Sequence, residues 1–480
     1  MSLEKIKSDR LKKLENLKVK GINPYPASVW RERILVKEAL AQFDDLSRRE
    51  KEVILAGRLR FLRGHGGSTF ANLIDASGQI QVYFKKDTLG EGEYENFADN
   101  FDIGDFVEVK GKLFETHKGE KTLLVKDFEM LAKALNQLPD KWHGLTDTEE
   151  RFRRRYLDVL MNESVRERFK TRSEIIKNIR TFLETNGFIE VETPILQPLP
   201  GGALAKPFVT HLNALDVDLY LRIAPELYLK RLLVAGFEKV FEIGRCFRNE
   251  GMDRSHNPDF TMLEFYWAYA DYEQLMEFTE EMFEFLVPEM EIEYQGQKIN
   301  FEAPFKRLSM RDLIKEHYKI DIEKTTKEEL LEILVKAGER PEPDLAHYKL
   351  VDELFKTVRE KIVQPTFIVN HPIEMSPLAK VSDENPKEAA RFQLVAAGME
   401  LVNAYSELND PQDQAARMRA QEEFRDEEIQ RFDQDYVEAL EYGMPPAAGW
   451  GMGIERLVMI LTDAPTLREV ILFPTMREKK

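Results

Sequence analysis

Between Val53 and Leu131 apolar and polar residues alternate in short runs: VILAGRLRFL, STFANLIDA, IQVYFKK, FVEVKGKLF and KTLLVKDFEML. A period of two predicts five half-buried strands. Turn residues punctuate them at Gly64-His65-Gly66-Gly67, Ser77-Gly78, Gly104-Asp105 and Lys118-Gly119. A helical stretch near Glu91–Asn100 falls between the third and fourth runs. Ahead of the strands, Leu3, Ile6, Leu14 and Leu17 recur among lysines, which predicts a basic amphipathic helix over residues 1–20; a second helix is expected over Leu35–Glu50. A polar stretch with Pro139 follows the strands, and from Leu157 the pattern is mixed: helices such as Ser164–Asn186, then apolar strands, then acidic helices. There is no internal repeat and no low-complexity tract.

Five strands with a helix after the third is the order of an OB-fold barrel, a frequent binder of single-stranded nucleic acid; a generic small β-barrel fits the same pattern. The mixed region that follows is α+β in style. A chain of 480 residues exceeds one hydrophobic core, so several domains are expected. The divisions are a helical extension over 1–50, the barrel over 51–138, a linker over 139–156 and a large α+β domain over 157–480. With 43% hydrophobic and 32% charged residues, the composition is that of a soluble globular protein. No apolar run approaches the length needed to span a bilayer. The start, MSLEKIKSDR, lacks the apolar core of a secretory signal. The single cysteine, Cys246, excludes an internal disulfide, and a reducing cytoplasm is the natural compartment.

The net charge of −17 speaks against a uniformly basic nucleic-acid binder, but basic residues cluster locally. The first 20 residues hold seven Lys/Arg against three Asp/Glu, and Arg151, Arg153, Arg154 and Arg155 form a second group. Acid gathers in Phe278–Glu293 and Gln421–Glu438. Basic strips on an acidic body suit a protein that binds and releases a polyanion; two solvated helix faces would look the same.

Two common nucleotide motifs are absent, the G-x-x-x-x-G-K-[ST] loop and a G-x-G-x-x-G after a strand. Eight dispersed histidines and one cysteine make no zinc cluster. A triphosphate would therefore need arginines and acid-held magnesium. The segment Phe241–Gly251 (FEIGRCFRNEG) offers both an arginine, Arg248, that can fork onto a phosphate, and Glu250, which can accept from an adenine amino group. It continues through His256, Asn257 and Phe260 to Thr261–Tyr266. By itself F-R-x-E reads equally as a surface ion pair. Ala448–Leu457 (AGWGMGIERL) is glycine-rich and runs into an apolar helix with Arg456 near its start, where backbone can approach a ligand closely. Thr185–Pro194 (TNGFIEVETP) is an acidic strand after a helix, and also reads as a packed corner.

Taken together and in this order, the three segments resemble motifs 1, 2 and 3 of the class II aminoacyl-tRNA synthetases. The surrounding sequence is similar to the lysyl-tRNA synthetase family of bacterial type: Lys141–Leu145 (KWHGL), Arg154–Asp158 (RRYLD), Pro200–Gly202 (PGG), Arg222–Lys230 (RIAPELYLK) and Tyr405–Asp410 (YSELND). The resemblance runs from the N-terminal helix to Phe473-Pro474. It implies an antiparallel-sheet catalytic domain behind the barrel. It implies a ligase that activates lysine with ATP to an adenylate and pyrophosphate and then transfers it to the 3′ end of tRNA(Lys). Arg248 would hold the α-phosphate and the lysine carboxylate; Arg248 and Arg456 are the catalytic residues it implies. Glu250, His256, Asn257, Phe260 and Glu400 would complete the ATP site, and Arg456 would bind the γ-phosphate. The lysine pocket would draw on Gly202, Glu226, Arg248, Glu264, Tyr266, Asn403, Tyr405 and Glu407, which suits an ammonium with three donors and one charge. The first step needs no general base because the attacking carboxylate is already ionised. Positioning and charge neutralisation by the arginines and magnesium are what it requires.

The resemblance also implies a homodimer built on motif 1, and an anticodon site on the barrel at Arg63, Phe70, Gln81 and Glu120, with Phe70 stacking on a base. A core aromatic is the other reading of Phe70. The family's magnesium positions fall on Glu400 and Gln393; the second is usually glutamate, and a neutral amide suits a hard cation less well, so the number of ions is in doubt. Milder departures are Tyr405, where phenylalanine is common, and Glu455, where aspartate is common. Three rivals are an aspartyl or asparaginyl enzyme, a lysyl-transferring relative that acts on a protein, and a non-catalytic nucleic-acid-binding regulator on the same fold. Glu226 and Tyr266 speak against the first, the barrel against the second, and Arg248, Glu250 and Arg456 against the third.

Overall fold

The computed structural model describes residues 2–139, 145, 147–203, 205–254, 256–342, 344–422 and 432–479. Residues 141–144 of the expected KWHGL motif and 423–431 of the acidic run lie outside them. Two compact units divide the chain, Met1–Thr146 and Asp147–Lys480.

In the first unit, β1 (Glu52–His65), β2 (Ser68–Ile74), β3 (Gln79–Lys85), β4 (Phe106–Glu115) and β5 (Lys121–Ala132) close into a barrel in the order β1-β2-β3-β5-β4. The alternation in the sequence becomes the inside and outside of that barrel. Thr69, Ala71 and Leu73 of β2 and Ile80, Val82 and Phe84 of β3 are buried, and their neighbours are not. The helix Glu91–Asn100 contributes Phe97, which stacks on Phe84 with ring centroids 3.7 Å apart. Where β4 meets β5 the register slips at Gly111. A Cβ there would fall 1.9 Å from the Leu124 carbonyl oxygen, so only glycine fits. The N-terminal helix runs Leu3–Val19 and buries Leu14 and Leu17. Its Arg10 is tied to the barrel by bonds to the carbonyls of Ile103, Ala134 and Asn136, each 2.9 Å. The helix expected over Leu35–Glu50 is two, Val36–Ala41 and Phe43–Arg48, broken at Gln42.

The second unit is built on an eight-stranded sheet. Its strands are β6 (Ile189–Glu190), β7 (Lys239–Phe247), β8 (Asp259–Ala268), β9 (Lys306–Ser309), β10 (Thr366–Pro372), β11 (Glu388–Ala396), β12 (Met399–Ser406) and β13 (Ala447–Gly453). Their order is β9-β10-β11-β12-β13-β8-β7-β6, antiparallel throughout the centre, with a parallel pair at each edge. Helices Glu163–Thr185, Tyr272–Leu286 and Ile454–Leu461 supply the core on one face. There Leu263 and Phe265 of β8 meet Ala448, Trp450 and Met452 of β13. Trp450 stacks on Phe265 at 4.9 Å and donates its indole N–H to Thr279. Because side chains on a strand alternate, Glu264, Tyr266, Gly449 and Gly451 go to the other face. A second cluster of helices, Met310–Tyr318, Lys327–Lys336 and His347–Arg359, forms its own core beside β10.

Residues 148–156, expected in a linker, are mostly helical, in Thr148–Arg153 and Arg155–Met161. Fully buried Arg155 pairs with Asp158 at 2.6 Å and reaches the carbonyls of Ile471 and Leu472, which places this stretch in the larger unit. Polarity alone suggested a linker; the charges are there to satisfy one another.

Candidate active site

The face of the sheet that is free of the large core floors a cavity of about 1100 Å³ including its open mouth, at the upper end for small-molecule sites. It is lined from β8 by Phe260, Glu264 and Tyr266, from β12 by Glu400, Asn403 and Tyr405, and from β13 by Gly449, Gly451 and Gly453. Gly202, Glu226, Arg248, Glu250, His256, Asn257 and Arg456 enclose it. Of the catalytic-domain residues singled out in the sequence, all but two line this one cavity. The two are Glu407 and Gln393.

Glu407 follows β12 directly and is 1% exposed. A Cβ on Gly449 would meet its Oε1 at 2.0 Å and the Tyr266 ring at 2.5 Å. The carboxylate thus lies immediately behind the glycine floor. No donor among the described residues hydrogen-bonds its Oε1. Gln393 sits on β11 across from Asn403, but its side-chain oxygen is 3.3 Å from Nε2 of buried His371. It does not line the cavity, whereas Glu400 does. The tie is local: burial holds His371 well below the usual imidazole range, so its neutral ring pairs with a neutral amide.

The far end of the cavity is acidic and buried. Glu226, Glu264 and Glu407 are each at most 5% exposed. Burial, reinforced by the Glu226 charge, pushes the Glu264 carboxyl up to about 8, and the Tyr266 hydroxyl donates to it at 3.0 Å. Burial likewise raises Glu407. The Tyr405 hydroxyl donates to Glu226 Oε1 at 2.6 Å. Lys230, one helical turn beyond Glu226, pairs with both Glu226 and Glu407 at 2.5 Å. Sequence reasoning passed over Lys230; its signal was the four-residue spacing from Glu226.

The near end is basic and aromatic. The Arg248 guanidinium lies 5.1 Å from the Phe260 ring centroid, and its Nε has no hydrogen-bond partner among the described residues. Asn257 is buried, and its amide donates to the Asp259 carbonyl at 2.7 Å. His256 and Glu250 are exposed at the rim, His256 beside Asp253 at 2.8 Å. Arg456, in the first turn of Ile454–Leu461, donates to the Glu400 carbonyl at 2.8 Å, and Arg359 stands 3.6 Å from the Glu400 carboxylate. Glu455 accepts from the Thr261 N–H and from Arg172, which locks the helix start to β8. Cys246 is fully buried on β7 across from Phe260, its thiol pushed up to about 12 by burial and the Glu264 charge.

On the barrel, Arg63 pairs across β1–β2 with Phe70, and Phe70 stands opposite Tyr83, ring on ring at 4.2 Å. Phe70 is only partly buried and lies on the barrel's outer side, apart from its core. Gln81 accepts from Thr122 Oγ1, which also bonds the carbonyl of exposed Glu120. Tyr83 was not foreseen; its place two residues beyond Gln81 on the same strand face was the clue.

Residues 147–477 match the family model described as tRNA synthetases class II (D, K and N), and residues 53–131 match the model for the OB-fold nucleic acid binding domain. The chain is 49% identical to a protein of Moorella thermoacetica over 98% of its own length and 97% of that protein's. It is 47% identical to one of Thermosipho africanus over 99% and 96%, and 48% identical to one of Magnetococcus marinus over 97% and 96%. Each of these three relatives carries the name lysine–tRNA ligase.

Proposed function

The chain belongs to the class II tRNA synthetases, and on that premise we propose that it is a lysine–tRNA ligase whose acidic cavity activates lysine with ATP and whose barrel holds the anticodon of the tRNA it charges. The observation that carries the choice of amino acid is the buried, unpartnered Oε1 of Glu407 behind the glycine floor. A buried carboxylate oxygen without a donor is costly, and a substrate ammonium supplies both the donor and the charge. Glu226, Glu264 and Tyr266 provide the other acceptors, and Gly202 lets the ligand lie close. The aspartyl alternative would seat a carboxylate among three others.

At the near end Arg248 is suited to hold the α-phosphate together with the lysine carboxylate, so that nucleophile and electrophile meet in line. Phe260 would stack on adenine with Glu250, His256 and Asn257 around it, and Arg456 would neutralise the γ-phosphate. The family uses ATP with magnesium, which when bound supplies positive charge to the phosphates. Glu400 fits as its protein ligand. Gln393, turned to His371, does not, and the described residues hold no cluster of three or more metal-ligating side chains.

We further place the reaction in the cytoplasm and in a homodimer. Ile189, Ile195, Leu196, Val209, Leu215 and Val217 leave 41–70% of their surface exposed around the motif 1 strand, apolar area that a second copy would cover. Sedimentation at micromolar concentration should give the dimer mass. The decisive experiment is ATP–pyrophosphate exchange with each of the twenty amino acids. Lysine alone should support it; exchange with aspartate or asparagine and not lysine overturns the assignment.

A further inference from the structure

A lysine side chain inside a pocket read as selecting lysine needs an explanation. Lys230 lies four residues after Glu226 in the helix Glu226–Val234, the spacing that puts two side chains on one face. It is completely buried, and its ammonium is 2.5 Å from Glu226 Oε1 and 2.5 Å from Glu407 Oε2. The rings of Tyr405 and Tyr266 lie 5.4 and 6.0 Å from it. Tyr405 places its hydroxyl 2.6 Å from the same Glu226 Oε1. That oxygen therefore has two donors of its own. The other, Oε2, faces Gly202 on the cavity wall, where a Cβ would come within 3.6 Å of it.

We propose that Lys230 and Tyr405 are positioning residues that clamp Glu226 by Oε1, so that Oε2 is presented to the substrate ammonium. This deepens the lysine reading and rests on it. Lys230 also forms an ion pair with Glu407 Oε2, and Glu407 Oε1 lies toward the floor. The charge logic resolves the apparent conflict. Three carboxylates crowded into one buried site would keep protons rather than charge, and a neutral acid is a poor partner for an ammonium. One resident cation among them draws Glu264 and Glu407 back toward the charged form, against the burial that still holds both raised. Burial alone would strip Lys230 of its proton, but Glu226 and Glu407 outweigh that and hold it charged. Phenylalanine, common in the family at position 405, would lack the hydroxyl half of the clamp.

The test is lysine-dependent pyrophosphate exchange by the full chain and by Tyr405→Phe and Lys230→Met, with ATP binding in the absence of lysine as a check on the rest of the site. Tyr405→Phe deletes one hydrogen bond to a charged group and should raise the KM for lysine roughly tenfold, leaving kcat and the KM for ATP as in the wild type. Lys230→Met leaves two buried carboxylates without their cation and should raise it on the order of a hundredfold. A wild type that exchanges no pyrophosphate with lysine sinks the lysine reading itself. A wild type that does, with variants whose lysine KM is unchanged, or whose kcat and both KM values move together, overturns the clamp. Should Lys230→Met fail to bind ATP, Tyr405→Phe decides alone by the same criterion.

Discussion

Glu264 is a carboxyl that the fold keeps as an acid. Its value of about 8, raised first by burial and then by the charge of Glu226, leaves it protonated at pH 7, although Lys230, Arg248 and the Tyr266 hydroxyl all pull the other way. An ammonium arriving beside it lowers that value. Lysine binding at pH 7 should therefore release a proton, approaching about one per site, and the release should vanish above pH 9 where the group is already ionised. Calorimetry at pH 7 in two buffers of different protonation heat measures it, and Glu264→Gln should abolish it. The acids were legible in the sequence because the resemblance gives each of them a role, which it does not give Lys230 at the end of the segment that holds Glu226. Lys230 was not. A glutamate four residues before a lysine is also the ordinary signature of a solvated helix face. Only β8 and β12, far away in the chain, turn that face into an interior. The contact of Gln393 was hidden for a similar reason: its partner His371 is a strand away and 22 residues earlier.

At the scale of the element, β13 shows how a strand can divide its work. Ala448, Trp450 and Met452 enter the core while Gly449, Gly451 and Gly453 pave the cavity. The glycines differ in what they permit. At Gly449 an added methyl collides with Glu407 and Tyr266, whereas at Gly451 its nearest neighbour is the Glu264 Cγ at an ordinary 3.6 Å. Gly449→Ala should cost about 1–3 kcal/mol of stability through overpacking and raise the KM for lysine. Gly451→Ala should leave the urea midpoint in place and raise only the KM, since its methyl occupies substrate space. Equal midpoints for the two variants would contradict this. The barrel strands were readable almost to the residue because one face of each is core and the other is not. The break at Gln42 was not. Val36, Ala39, Phe43 and Leu46 are all buried and keep helical spacing straight across it, so periodicity alone continues the helix.

For the whole molecule, the division at residues 146–147 separates two tasks. Phe70 and Tyr83 form a stacked aromatic pair on the outside of the barrel, where a base can add to the stack. Phe70→Ala should weaken charging of tRNA by roughly tenfold or more, as the loss of one stacked base at ~1–3 kcal/mol implies. It should spare lysine-dependent pyrophosphate exchange, which needs no tRNA. Equal damage to both reactions would make Phe70 a residue of the barrel's stability instead. The two-unit plan was foreseeable from the change of hydrophobic period. That residues 148–156 belong with the larger unit was not, because the arginines there find their acids and carbonyls at Asp158, Glu469, Ile471 and Leu472.

Cys246 turns this molecule into a convenient optical instrument. The only sulfhydryl in 480 residues is sealed in β7, and its thiol is pushed up to about 12; reagents that attack thiolates have almost nothing to attack at neutral pH. Ellman's reagent should count no thiol in the native protein and one in guanidinium chloride. A cysteine introduced at an exposed site, such as Tyr442, would then be the sole point of attachment for a maleimide dye, without first deleting a native residue beside the site of chemistry. Fluorescence from such a dye could follow ligand arrival in an otherwise unaltered chain.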